Sequence, residues 1–330
     1  MGRIADVGCL VVRSRDFQRQ TILNLYNSEI PTEIISFQLD LSKEQVENII
    51  EEERKEQQKL SNKGLSSPDS SLGLFYLDAV FNTDLAIRRA QNTLWEALKS
   101  ELKFEISMEE TGKILQKYAK SKVTLVILHI DLVDSTKLLM TLPVDTLSAI
   151  IQGFTQEMSL LIEEYGGYIL KYIGDAILAF FTVDTIDVYL PCVNAINCAR
   201  SMIKIVKQGI NPILDQNGYP EMSIRIGIDV GDQNAVLQYG WDIVQTSDGN
   251  SKNKQIIKKA HYDIIGYTLS VAVKMTGLAK PNRFVIGQLV YDALDEKQKS
   301  AFEILNVGAD IWGYVNSKTG VTYGVHTNIV

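Results

Sequence analysis

The sequence predicts a mixed α/β fold whose C-terminal two thirds form a ferredoxin-like βαββαβ palm, and three observations carry that prediction. The run VTLVILHIDL (123–132) is almost unbroken in apolar residues, as a strand buried on both faces should be. Residues 143–167 then place Leu147, Ile150, Ile151, Phe154, Met158, Leu161 and Ile162 at helical spacing. Next, YILKYIGDAILAFF (168–181) reads as two short strands around a tight turn at Gly174–Asp175.

In chain order, residues 1–120 read as a smaller mixed α/β accessory region. A strand is expected at Gly8–Val12 and a helix near Phe17–Tyr26. Ser42 with Gln45 has capping-box spacing and starts a charged helix through Lys59. SNKGLSSPDSSLG (61–73) holds turn residues and little apolar surface, and reads as a linker. A helix over Thr83–Leu102 puts Ile87, Leu94 and Leu98 on one face, and Ser107 with Glu110 suits the cap of a short helix ending near Lys120. No catalytic constellation occurs in 1–120, which fits a regulatory or dimerising role.

Residues 121–330 carry the palm. After the strand, the long helix ends at Gly166–Gly167, residues suited to the position past a helix C-terminus. A helix at 187–208, the strand MSIRIGIDV (222–230), a polar insertion, the helix IGYTLSVAVKMTGLA (265–279) and the strand RFVIG (283–287) complete the order.

Composition narrows the function. With 330 residues, 45% hydrophobic and 22% charged, the chain can bury a sizeable core. A net charge of −7 argues against sequence-independent nucleic-acid binding, which needs a basic footprint. Cys9, Cys192 and Cys198 show no CxxC spacing, and with three His a structural zinc site is not expected. No apolar stretch approaches a membrane span or a signal peptide, so a cytoplasmic setting without membrane contact is expected.

Two carboxylates stand out. Asp131 ends the first strand and Asp175 lies in the hairpin turn. Adjacent strands lie about 4.8 Å apart, so neighbouring strand ends could bring both onto one cation. Paired oxygen ligands completed by substrate phosphates are how Mg²⁺ or Mn²⁺ is held at nucleotide-processing sites. The turn after Asp131 leads through Ser135 and Thr136 into a helix whose first amides could receive a triphosphate. His129 shares a strand face with Asp131 and reads as a packed, neutral imidazole, and Arg225 reads as structural.

Four segments in order resemble the catalytic domain of class III adenylate/guanylate cyclases. HIDLVDST (129–136) is similar to the first-metal motif, and LKYIGDAILAFF (170–181) to the second, K-x-x-G-D. IRIGIDVG (224–231) resembles the R-x-G-I-x-x-G strand, and HYDIIGYTLSVAVKM (261–275) the D-x-x-G-x-x-V-N-x-A-x-R segment. The resemblance implies a nucleotide cyclase whose Asp131, Asp175 and Leu132 carbonyl hold two divalent ions, Mg²⁺ or Mn²⁺. It places Lys171 and Asp263 at the positions that read the base, in the adenine-selective combination. It further implies ATP converted to 3′,5′-cyclic AMP and pyrophosphate, at sites shared across a homodimer.

The resemblance breaks at the phosphate end. The transition-state Asn and Arg positions fall on Ser270 and Lys274, and the clamp Lys-Gly falls on Trp312–Gly313. Lys keeps the charge of Arg but not its bidentate fork. The insertion 242–261 carries Lys252, Lys254, Lys258 and Lys259, and reads either as a solvated loop or as an arm supplying positive charge. Two alternatives stay open: a cyclase acting on a pyrimidine triphosphate or GTP, and a weak pseudo-cyclase that binds nucleotide as a signalling module.

Overall fold

Apolar strands buried on both faces need a layer on each side, and the palm supplies both. The computed structural model describes residues 22, 26, 32–38, 41–51, 82–99, 104, 106–183, 187–247, 254–315 and 320–329. The expected strand at 8–12 and linker at 61–73 lie outside these residues, as do most of the expected helix at 17–26 and the end of the helix expected to reach Lys59.

The chain divides into Met1–Phe75 and Tyr76–Val330. In the first unit, helix α1 (Thr32–Gln38) and a helix α2 over 43–51 share a small cluster of Ile22, Ile35, Val46 and Ile50. The capping box forms as its spacing predicts. Gln45 N–H donates to Ser42 Oγ at 3.2 Å, and Ser42 N–H donates to Gln45 Oε1 at 2.9 Å.

The second unit opens with α3 (Thr83–Lys99) and α4 (Glu109–Tyr118), which the sequence groups with the accessory region but which pack on the palm. Strand β1 (Lys122–Leu132), the short helix α5 (Ser135–Thr141), α6 (Val144–Glu164), β2 (Tyr168–Ile173) and β3 (Ala176–Thr182) follow. Then come α7 (Tyr189–Ile205), a π-helical turn (Val206–Ile210), α8 (Asn211–Gln216), β4 (Ile224–Ser247) and β5 (Lys254–Gly266). The unit closes with α9 (Tyr267–Thr276), β6 (Arg283–Gly287), α10 (Gln288–Ala293), α11 (Glu296–Lys299), β7 (Phe302–Ile304) and β8 (Val325–Asn328). The sheet order is β2-β3-β1-β4-β6-β8-β7, with β5 paired to β4. Its first four strands have the ferredoxin-like order, with β1 antiparallel to both β3 and β4.

Alternation along the strands makes two cores. Val126, Leu128, Ile130, Ile177 and Phe181 face α3, α6 and α7, while Leu125, Ile127, Leu178 and Phe180 face α4 and α9. Helix α6 ends as its glycines predict: Gly166 N–H bonds Glu163 O and Gly167 N–H bonds Ile162 O, a Schellman pair. The cap expected from Ser107 and Glu110 does not close. Ser107 Oγ accepts from Glu109 N–H at 3.3 Å, but Glu110 pairs with Lys113, because Ser107 precedes the N-cap residue Met108. The expected 187–208 helix runs on as the π turn and α8. Gln208 O would meet the N–H four residues on, but Pro212 has none, and Gln91 Nε2 donates to it at 3.1 Å instead.

The stretch 242–261 is not a loop where it is described. It belongs to a long antiparallel ribbon of β4 and β5, paired from Asn234↔Gly266 to Ser247↔Lys254. Residues 248–253, with Lys252, lie outside the described residues, and so do the side chains of Lys254 and Lys259.

Helix α3 is fixed by an ion pair as well as by Ala86, Ala90 and Leu94. Glu157, 1% exposed, accepts from Arg89 Nε at 3.0 Å and from Thr93 Oγ1 at 2.6 Å. Arg89→Ala is therefore expected to strand a buried carboxylate and cost about 3 kcal/mol, read as a lower urea midpoint with an unchanged slope.

Candidate functional site

The face of the sheet beneath α9 gathers the polar residues singled out in the sequence. Strand register puts Asp131 opposite Arg225, and the side chains pair, with Arg225 Nη2 donating to Asp131 Oδ2 at 2.7 Å. Both are partly buried, and Arg225 Nε has no partner among the described residues. Sequence reasoning gave Arg225 a structural role, with which an ion pair to Asp131 agrees; the partner itself comes from the strand register, which no local pattern gives.

Asp175 follows Gly174, whose φ of +63° makes the two-residue hairpin loop between β2 and β3. Because Ile130 pairs with Ile177, the end of β1 lies beside this turn, and both Asp131 and Asp175 act electrostatically on the same imidazole, His129. Asp175 Oδ2 is buried and has no partner among the described residues. An orphaned carboxylate oxygen beside a second carboxylate is what a cation site needs, so these residues fit a divalent ion. No set of three His, Cys, Asp or Glu converges among the described residues, so other oxygens must complete the coordination. The Leu132 carbonyl stands at the end of β1, where its residue pairs with Ile224.

His129 is the packed imidazole the sequence suggests. Its Nδ1 lies 2.9 Å from Thr276 Oγ1 on α9, and burial pushes its pKa down. Ser135 and Thr136 occupy the first turn of α5, entered through Asp134 in the left-handed region at φ +54°. The turn is tied down where Val133 N–H donates to Ser223 O at 2.8 Å.

Lys171 and Asp263 are 92 residues apart in sequence and form a direct ion pair, Lys171 Nζ donating to Asp263 Oδ2. Asp263 Oδ1 also accepts from the N–H of Ile264 at 2.8 Å, which fixes the carboxylate plane. Around the pair, Leu237 (the cross-strand partner of Asp263), Ile265 and Ile173 are exposed apolar side chains. Ser270 and Lys274 sit one turn apart on α9, both exposed. The Lys274 ammonium lies 5.6 Å from the centre of the Tyr314 ring.

Trp312, which the resemblance sets at the clamp position, is buried at 3% exposure, and its Nε1–H donates to Tyr323 O at 2.8 Å. It is a core residue, packed with Val271, Met275 and Tyr323. The cysteines Cys192 and Cys198 are buried free thiols, and burial raises both pKa values. Among the described residues no helix is long and apolar enough to cross a membrane.

No protein-family model matches the chain. Among curated proteins it is similar to a cytidylate cyclase of Escherichia coli, 26% identical over 179 residues, covering 51% of this chain and 35% of that protein. A cytidylate cyclase of Staphylococcus aureus is 26% identical over 174 residues, covering 52% and 38%. The match thus spans little more than a third of the length of these relatives. Among solved structures the chain is similar to the adenylyl cyclase CyaB from P. aeruginosa, at 19% identity and TM-score 0.46, covering 64% of this chain and 95% of that one. It is also similar to the guanylyl cyclase Cya2, at 16% identity and TM-score 0.46, covering 63% and 92%.

Proposed function

We propose that this chain, similar over half its length to proteins named cytidylate cyclase, is a nucleotide cyclase that selects 6-aminopurine and 4-aminopyrimidine bases. The ion pair of Lys171 and Asp263 carries the reading. Adenine and cytosine both present an amine donor beside a ring-nitrogen acceptor, so Asp can accept from the amine while Lys donates to the ring. Guanine and uracil present a carbonyl beside an N–H, which sets oxygen against oxygen and N–H against ammonium. The pair therefore separates CTP and ATP from GTP and UTP, and does not by itself separate cytosine from adenine. CTP is taken as the preferred of the two, on the named relatives; ATP, expected from the motif resemblance, is the second substrate.

In the reaction the ribose 3′-oxygen attacks the α-phosphorus, the bond to the β-phosphate oxygen breaks, and pyrophosphate leaves as the 3′,5′-cyclic ester closes. Held by Asp131, Asp175 and the Leu132 carbonyl, two Mg²⁺ or Mn²⁺ ions would lower the hydroxyl's pKa and neutralise phosphate charge. Arg225, partly buried beside Asp131, brings a fixed cation to the same end of the sheet. Lys274 supplies a second, on the exposed face of α9 with Ser270 one turn before it. His129 is kept neutral and engaged with Thr276, so the hydroxyl proton passes to solvent rather than to it.

A homodimer is part of the proposal. Leu237, Tyr239, Trp241 and Ile265 leave an apolar surface on the ribbon that carries Asp263, which supports a second copy covering it.

The test is to incubate purified protein with Mn²⁺ and each ribonucleoside triphosphate and to identify products by mass spectrometry. Cyclic CMP and cyclic AMP are expected, the first in excess. Production of mainly cyclic GMP or cyclic UMP would overturn the base assignment, and no cyclic product from any of the four would favour the nucleotide-binding pseudo-enzyme.

A further inference from the structure

The strand IRIGIDV carries one residue that the chemistry above does not use. Asp229 lies mid-strand, fully buried, where an apolar residue would serve the core at no cost in desolvation. Its Oδ1 accepts from Tyr323 Oη at 2.6 Å, and its Oδ2 has no partner among the described residues. Burial outweighs the hydrogen bonds from Tyr323 and the Val230 backbone and pushes the carboxyl up to about 7, with no cation among the described residues to offset it.

Space is made for this contact. A Cβ on Gly287 would fall 2.2 Å from Asp229 Oδ1 and 2.8 Å from Tyr323 Oη. At Gly231 a Cβ would fall 2.3 Å from Thr268 Oγ1 and 2.8 Å from Tyr267 Oη. Tyr267 begins α9, and the nearby Asp229 raises its pKa as a secondary cause after burial.

Tyr323 passes the contact on. Its hydroxyl accepts from Leu289 N–H at 3.2 Å, and its carbonyl accepts from Trp312 Nε1–H at 2.8 Å. Its own N–H donates to Tyr314 O at 2.7 Å. Trp312 and Tyr314 meet edge to face at 4.8 Å, and Tyr314 carries Lys274 over its ring. A continuous set of contacts thus leads from Asp229 to Lys274, and the Asp229 charge is also felt at Tyr267, the start of α9, four residues after Asp263.

We propose that Asp229 is a positioning residue for the cyclisation: bound to Tyr323, it holds Trp312, Tyr314 and the start of α9 so that Lys274 and Asp263 keep their places. The proposal rests on the cyclase reading. Its contribution falls on turnover more than on nucleotide affinity, because a shifted cation is felt most where charge develops.

The groups that interact with Asp229 are the phenol of Tyr323, which bonds it, and, through space, the phenol of Tyr267 and the thiol of Cys192 on α7, all raised in pKa and neutral through this range. Asp229 is therefore the one member that titrates near neutrality. An acid whose folded pKa lies above its unfolded one stabilises the fold when protonated, and that stability is lost as pH rises from the ordinary carboxylate range through about 7.

The experiment compares full-length wild type with Tyr323→Phe, Asp229→Leu and Asp229→Asn, by thermal melts from pH 5.5 to 8.5 and by steady-state kinetics. Asn keeps the acceptor for Tyr323 and carries no charge. Tyr323→Phe and Asp229→Leu are expected to lower kcat about tenfold with KM within twofold, while Asp229→Asn stays near wild type at pH 6. Between pH 6 and 8.5 the wild type should lose at least about 3 °C in Tm relative to Asp229→Asn. Unchanged kcat in folded Tyr323→Phe, or melting curves that run parallel across pH, overturns the role of Asp229. A wild type that cyclises no nucleotide overturns the cyclase reading instead, and this role with it.

Discussion

Asp131→Ala and Asp175→Ala are each expected to lower kcat about a thousandfold or more, with the fold retained. Asp175 Oδ2 is buried without a partner among the described residues, so nothing described but an incoming cation would use it. On the proposed cation site, removing it would delete a ligand whose charge stabilisation is worth several kcal/mol in the transition state, and about 4 kcal/mol is a thousandfold. Asp131 differs in one respect. It also holds Arg225, so its loss frees a guanidinium whose side chain is 29% exposed, and solvent limits the cost in stability to about 1 kcal/mol. Turnover and circular dichroism on the same preparations decide the matter. Cyclic product from either variant at a tenth of the wild-type rate would refute the carboxylate-pair assignment.

Asp263→Asn should erase the distinction between amino and keto bases, a change of about a hundredfold in the ratio of kcat/KM for CTP over UTP. Asp offers only acceptors, whereas the Asn amide offers a donor and an acceptor and can turn to suit either edge. A site built to pair a substrate group rejects an analogue strongly because its own polar atoms are left unpaired. The variant also weakens the ion pair to Lys171, so activity on every base should fall. The ratio is therefore the informative quantity. Should the CTP-to-UTP preference survive in Asp263→Asn, base reading lies elsewhere.

Much of the palm was legible because its strands and helices bury themselves. The runs at 123–132 and 176–181 had to be covered on both faces, and Gly166 and Gly167 marked the end of α6 through bonds that only a C-terminal turn makes. The Lys171 and Asp263 pairing followed from motif resemblance, not from pattern, since no local signal links residues 92 positions apart. The ribbon was not legible: its second strand reads KQIIKKAHYDIIG, polar and apolar residues in doublets with no period of two, and its pairing is set by a partner strand rather than by a buried face. The alignment put Trp312 where a clamp Lys would stand but said nothing of its burial, which only the packed structure shows. Asp229 was visible as a charge inside an apolar strand, but only the strand crossing to Gly287 and Tyr323 explains it.

The docking of α3 governs where the palm can be cut free for expression. Leu94 lies 3.2 Å from the Cβ position of Gly153 on α6, and Ala90 lies 3.1 Å from that of Gly209 in the π turn. A fragment starting at residue 121 would bare both contacts to water and leave Glu157 with neither Arg89 nor Thr93. Such a fragment exposes a continuous apolar stripe around an unpaired buried carboxylate, a recipe for inclusion bodies. A recombinant piece meant to show the chemistry alone has to begin before Thr83, and Tyr76 is where the contacts of the chain themselves divide.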